Sequence, residues 1–215
     1  MSAWLLIAPS RDDDAALAAT RWISEVTRER ATPAPRALLG HEAVRGGMEE
    51  MLRADPSLRG VAFFGHGAED RLFGADRAPG APGPSRLDAQ NVALLDGRWV
   101  HAFACLSGLS LARRAARAGA EIFVGYRRPL DAGWSAPPSA PTSFADVVTS
   151  TTLALLQGQR DERELRANVS RAVDVFFEDL ESVPDDDRSP GWMWLYALAQ
   201  QLVDDMVVET GSAAP

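Results

Sequence analysis

Five short apolar runs, separated by segments of different periodicity, constrain this chain more than any other feature. They are "AWLLIA" (3–8), "RALLG" (36–40), "GVAFFGHG" (60–67), "RWVHAFA" (98–104) and "EIFVGY" (121–126). Runs of this length with little polar alternation fit strands buried on both faces. The first intervening segment, 12–29, reads as an amphipathic helix with Leu17, Ile23 and Val26 on its apolar face and Asp12–Asp14 in its first turn. A second helix, opened by His41, is expected over 41–55 and interrupted at Gly46-Gly47. A weak helical turn falls near 88–95, and a helix over 107–118 can close on Gly119. Strand and helix in alternation predict an α/β chain: a mainly parallel five-stranded sheet in an α/β/α sandwich. Three further helical patterns, near 143–157, 161–181 and 191–208, are expected to pack on that core. The whole of 1–215 therefore reads as one domain, with the sheet in 1–126 and extra helices in 143–210. No repeat and no sixth strand is evident.

Composition narrows the function classes. The chain has 215 residues, 46% of them hydrophobic, enough for a sizeable core. A net charge of −8 argues against nucleic acid as the partner. Every basic residue is arginine, which removes lysine chemistry. A single cysteine permits no internal disulfide, and "AWLLIA" is too short for the core of a signal peptide, so a cytoplasmic setting is expected. No run is long enough to insert in a membrane. Three histidines and one cysteine without ligand spacing predict no metal, and no Gly-rich phosphate loop predicts no nucleotide or other cofactor.

In parallel sheets, function collects where loops leave the carboxyl ends of the strands. His66 lies just past the third run and Cys105 just past the fourth. If those strands are neighbours, imidazole and thiol rise from one rim. Cysteine attacks as thiolate, and its ordinary pKa of about 8.5 leaves little ionised at neutral pH. A histidine base can take the proton and return it to a leaving amine. A helix following Cys105, capped by Ser107 or Ser110, would turn its positive end towards the sulfur. Gly65, Gly67 and Gly108 leave room around both side chains, and the Gly67 and Cys105 amides can face an oxyanion. A lone buried cysteine or a Gly-His-Gly turn is commonplace; the two together, each at a strand end, are not.

"FFGHG" and "AFACLSG" resemble the His and Cys motifs of the caspase-like cysteine peptidases, which include caspases, metacaspases, gingipains, separases and CHAT-domain proteases. The nearest pattern is the metacaspase one, and "RLDAQNVALLDGRWVHAFACLSG" looks like the approach to the cysteine in bacterial CHAT-like members. The resemblance covers roughly 3–126. It implies a caspase-like endopeptidase with His66 as base, Cys105 as nucleophile, and the Gly67 and Cys105 amides as oxyanion donors. It also implies that Phe103, Tyr126, Arg127 and Arg128 border the substrate, the two arginines either meeting an acidic side chain there or simply lying in solvent. Phe103 stands where a metacaspase has the acidic residue that favours a basic P1 side chain, so apolar P1 is expected first, acidic second and basic last. "RAGAEIFVGY" runs straight into the fifth strand, leaving no caspase-style cleavable linker, and without a sixth strand a monomer is expected. Small bacterial proteases of this kind accompany gasdermin-like pore formers in anti-phage defence, which implies a gasdermin-like protein substrate.

Other readings compete. "SRDDD" resembles the acidic pair of a phosphoacceptor domain, but the aspartate and lysine that chemistry needs are missing after the third and fifth strands. "GWMWLYALAQQLV" is a core helix or a partner surface. The non-enzymatic alternative is a caspase-like scaffold with an idle dyad. Residues 69–86, rich in Gly and Pro, are expected to be mobile and to form one wall of a cleft.

Overall fold

The computed structural model describes residues 3–9, 16–75, 85–130, 141–184 and 191–211. In chain order its elements are β1 (Ala3–Ala8), α1 (Ala16–Arg30), β2 (Arg36–Leu39), α2 (Arg45–Ala54), β3 (Leu58–Phe64), β4 (Gly67–Ala68), β5 (Arg71–Phe73), β6 (Ser85–Leu87), β7 (Trp99–Phe103), α3 (Ser110–Arg117), β8 (Ile122–Tyr126), α4 (Thr142–Leu156), α5 (Glu162–Ser182), α6 (Trp192–Asp204) and β9 (Met206–Thr210). The five apolar runs are the five parallel strands, in the order β2-β1-β3-β7-β8. A sixth strand, β9, adds antiparallel to β8, pairing Ile122 with Thr210 and Tyr126 with Met206. This corrects the expectation of five strands and of a helix running to 208. The last helix stops at Asp204, and Met206, buried, and Val208, packed on the core, lie on an edge strand that completes the hydrogen bonding of β8.

The sheet divides the core in two. Trp4, Leu6, Phe64, Trp99, Phe103, Val124 and Tyr126 face one side, under α1, α4, α5 and α6. Leu5, Ile7, Val61, Phe63, Val100 and Phe123 face the other, under α2 and α3. This is the α/β/α sandwich the alternation predicts, and the C-terminal helices share a core with the sheet. Gly46 and Gly47 do not interrupt the second helix. They lie in the first turn of α2, while His41 sits in the short 3-10 turn Gly40–Glu42 before it. Gly119, with φ +96°, follows α3 as expected of a glycine terminator.

At the amino end of the sheet a glycine has a packing reason. Gly60 pairs with Trp4 on one side and Trp99 on the other. The two indoles meet over it, 6.0 Å apart, and the Trp4 Nε1 donates to the Pro33 carbonyl at 2.9 Å. A Cβ on Gly60 would fall inside the Trp99 ring. Gly60→Ala is therefore expected to cost about 3 kcal/mol or more, as overpacking against a side chain that cannot swing away. In a Trp99→Leu background the same alanine should cost less than about 1 kcal/mol, and urea unfolding of the four chains measures the difference.

Between β3 and β7 the chain makes a second, small antiparallel sheet, β4-β5-β6. Residues 69–75 and 85–86, expected as part of a mobile loop, are thus held by strand pairing, and Leu72 and Leu87 are buried. Residues 76–84 and Asp12–Asp14 lie outside the described residues. The 3-10 turn Val92–Leu95 stands for the weak helical turn. No described helix is long and apolar enough to cross a membrane.

Candidate functional site

The neighbouring strands β3 and β7 end together, with Phe64 and Phe103 in register. His66 is two residues past the first end and Cys105 two past the second, so both leave the carboxyl edge of the sheet side by side. The residues flanking His66 touch those flanking Cys105. The Gly65 N–H donates to the Phe103 carbonyl at 3.2 Å. A Cβ on Gly67 would stand 2.7 Å from the Cys105 carbonyl oxygen and 2.9 Å from the Ala104 Cβ. Glycine at 67 is what lets the two strand ends close to this distance. His66 is half-buried, and its carbonyl accepts from the Phe73 N–H at 3.0 Å, which ties the histidine turn to β5.

The cysteine turn is built differently from the expectation. Ser107 is no helix cap. It is fully buried, and its hydroxyl lies 3.0 Å from the Ala102 carbonyl, 2.8 Å from the Ala104 carbonyl and 3.3 Å from the Tyr126 N–H, which donates to it. One hydroxyl thus pins the turn after β7 to the end of β8. Leu106 has φ +59°, a left-handed conformation that costs a branched L-residue about 1 kcal/mol or more. Gly108 fits because a Cβ there would stand 2.7 Å from the Val207 Cβ on β9. The helix α3 begins only at Ser110, with Leu109 before it and no side-chain cap, and its Leu111 N–H donates to the Glu69 carbonyl at 2.8 Å. The expected helix end aimed at the sulfur is replaced by this turn.

The sulfur has a backbone partner instead. Leu130, four residues past β8, donates its N–H to Cys105 Sγ at 3.3 Å, and the thiol faces the Leu130 carbonyl at 3.9 Å. Burial pushes the Cys105 thiol above its usual range, and the amides of Leu130 and of Cys105 itself pull it partly back.

Of the four residues expected to border the substrate, two are in the core. Phe103 and Tyr126 are each 1% exposed, with ring centres 5.8 Å apart, and both face the α4 side. This corrects their assignment, and with it the apolar P1 site built on Phe103: odd-numbered β7 side chains point away from the rim and under the helices. Tyr126 belongs to a buried polar group. The His101 Nδ1 lies 2.7 Å from Thr152 Oγ1 and its Nε2 3.2 Å from the Tyr126 hydroxyl, while burial pushes the imidazole down to about 3. Arg127 and Arg128 are exposed beside the cysteine turn. Arg128 Nε lies 3.4 Å from an oxygen of Asp205, a buried carboxylate at the junction of α6 and β9. Asp205 and Leu130 had no signal in the sequence, since neither sits in a motif. Among the described residues no group of three His, Cys, Asp or Glu side chains can hold a metal ion.

No family model matches the chain, and no curated protein matches it. Solved structures do. The arginine-specific cysteine proteinase gingipain R (RgpB) superposes with a TM-score of 0.53 at 11% identity, over 97% of this chain and 46% of that one. The fold is caspase-like. The complex of pro- and mature domains of RgpB from Porphyromonas gingivalis gives the same score and identity, over 97% of this chain and 47% of that one. A secreted C11 cysteine protease from Bacteroides thetaiotaomicron, bound to an irreversible peptide inhibitor, matches with a TM-score of 0.45 at 11% identity, over 82% of this chain and 59% of that one. The chain thus spans less than half the length of the RgpB chains it matches.

Proposed function

We propose that this chain is a cysteine endopeptidase in which Cys105 attacks a substrate carbonyl and His66 takes and returns the proton. The observation that carries the reading is the pairing of Phe64 with Phe103, which sets the two side chains off from adjacent strand ends of a caspase-like sheet. Attack by sulfur forms an S–C bond and an oxyanion, which the Gly67 and Cys105 amides receive in this reading. The imidazole carries the thiol proton to the leaving amine, and water then releases the acyl group. The substrate is a protein. A gasdermin-like pore former in anti-phage defence rests on the motif resemblance alone, a cytoplasmic setting on the single cysteine, and a single peptidase domain over 1–215 on the alternation of strands and helices; the sixth strand β9 removes the ground on which a monomer was expected. Arg127 and Arg128 are exposed beside the cysteine turn, with their contacts directed to Asp205 and Met206; Phe103 and Tyr126 are buried away from it.

A peptide carrying a thiol-reactive acyloxymethyl ketone tests this. It should label Cys105 in the native chain, and His66→Ala should slow labelling about a hundredfold or more by removing the base. Equal labelling with and without His66 would remove the histidine from the mechanism. Gly67→Ala should lower cleavage at least tenfold while the fold melts cooperatively, because its Cβ would push the two strand ends apart.

A further inference from the structure

We propose that residues 127–130 form a strap that holds Cys105 latent, and that release of this strap from Asp205 and the core is what exposes the sulfur. The inference rests on Cys105 being the nucleophile. A substrate carbonyl has to come within about 3–3.5 Å of the reacting sulfur. The Leu130 peptide group already stands there, with its N–H at 3.3 Å from Sγ and its carbonyl at 3.9 Å. Substrate and strap cannot both occupy that shell.

The strap is fastened at few points, and most of them lie away from the cysteine. On the cysteine side, the Leu106 N–H donates to the Arg128 carbonyl at 3.3 Å. On the far side, the Arg127 N–H donates to the Asp205 carbonyl at 2.9 Å, and the Arg127 guanidinium reaches the Met206 carbonyl at 3.5 Å. Arg128 pairs with the Asp205 carboxylate, which is 5% exposed while the arginine is 73% exposed. The Leu130 side chain is buried with the core beneath α4. These backbone bonds, one ion pair that is open to solvent on its arginine side and the Leu130 side chain are a small set of fastenings that a local opening releases together. Its anchor is rigid by contrast: Asp205 ends α6, its N–H donating to the Gln201 carbonyl at 2.9 Å. The left-handed Leu106 shares the Arg128 bond, so release of the strap also frees the one strained residue of the cysteine turn.

Alkylation by iodoacetamide reads this without any need for catalysis. It forms an S–C bond, expels iodide and leaves the thiol proton to solvent, and Cys105 is the chain's one thiol. Arg128→Ala and Leu130→Ala should each be labelled about five- to tenfold faster than the native chain. Arg45→Ala, which breaks ion pairs with Glu49 and Asp88 in a different part of the fold, should stay within about twofold. Equal rates in all four chains overturn the strap. Should both strap variants fail to melt cooperatively, amide exchange in the native chain decides: protected Arg127 and Leu130 amides that exchange at one common rate support it, and unprotected ones overturn it. Peptide cleavage by the same variants separates the two readings. Faster labelling with faster cleavage supports both, and faster labelling with no cleavage in any chain leaves the strap and removes the peptidase.

Discussion

Cys105→Ala is expected to lower peptide cleavage by at least about a thousandfold and to leave a chain that still unfolds in one cooperative step. The activity loss follows from chemistry, since Cys105 is the chain's one thiol and alanine in its place leaves no sulfur to form the acyl intermediate. The stability change follows from packing. Cys105 is half-buried and its sulfur meets only the long, weak contacts of the Leu130 N–H and carbonyl, so loss of a sulfur there costs about 1 kcal/mol. His66→Ala should reduce cleavage by about a hundred- to ten-thousandfold, and the double variant should be no worse than Cys105→Ala, because base and nucleophile act as one unit. Cleavage that survives in Cys105→Ala would remove Cys105 as the nucleophile, whereas a native chain that cleaves nothing would leave the caspase-like scaffold reading as the better one.

The parallel strands were legible because burial on both faces forces continuous apolar runs, and that signal does not depend on what packs against them. So were the two strand-end positions, since a Gly-His-Gly and a Cys-x-Ser-Gly each interrupt an apolar run. What the sequence concealed was decided by tertiary contact. "LVDDMVVET" has apolar residues that serve a helix or a strand, and neither glycine nor proline marks the change at Asp205; only the open edge of β8 selects the strand. Strands β4, β5 and β6 are two or three residues long, below any periodicity. Ser107, placed before a helical pattern, has the local look of a cap, yet two carbonyls at the end of β7 claim its hydroxyl. Phe103 carried the P1 argument by its position relative to Cys105, whereas strand alternation places it with His101 beneath the helices. The Leu130 contact joins residues 25 apart through backbone atoms, which no side-chain pattern encodes.

Acid is expected to destabilise this chain well above the pH at which its carboxylates titrate, and His101 is the cause. Its ring is 1% exposed between Thr152 and Tyr126, with Phe64 and Phe103 edge-on at 6.0 and 6.3 Å. No carboxylate is among these neighbours, so a charged imidazole would be buried without a counter-ion, and its folded pKa lies near 3. In the unfolded chain the same ring takes up a proton below about pH 6.5. Between those two values the unfolded state binds the extra proton, and stability therefore falls as pH falls. The loss from this one group is about 2 kcal/mol at pH 5 and on the order of 4 kcal/mol by pH 3. Above pH 7 both states are neutral and the slope from His101 vanishes. The nearest large carboxylate effect comes later: Glu49, held at about 2 chiefly by its hydrogen bond from Arg45, contributes its loss only as pH falls below about 4.5. Urea unfolding of the native chain and of His101→Gln at pH 7, 6 and 5 isolates the term. Glutamine does not titrate and keeps one hydrogen bond, so the variant should start about 1–2 kcal/mol less stable at pH 7 and close most of that gap by pH 5. A gap that stays constant over this range would mean that the buried ring accepts its proton in the folded state, with Thr152 and Tyr126 turning their oxygens to receive it.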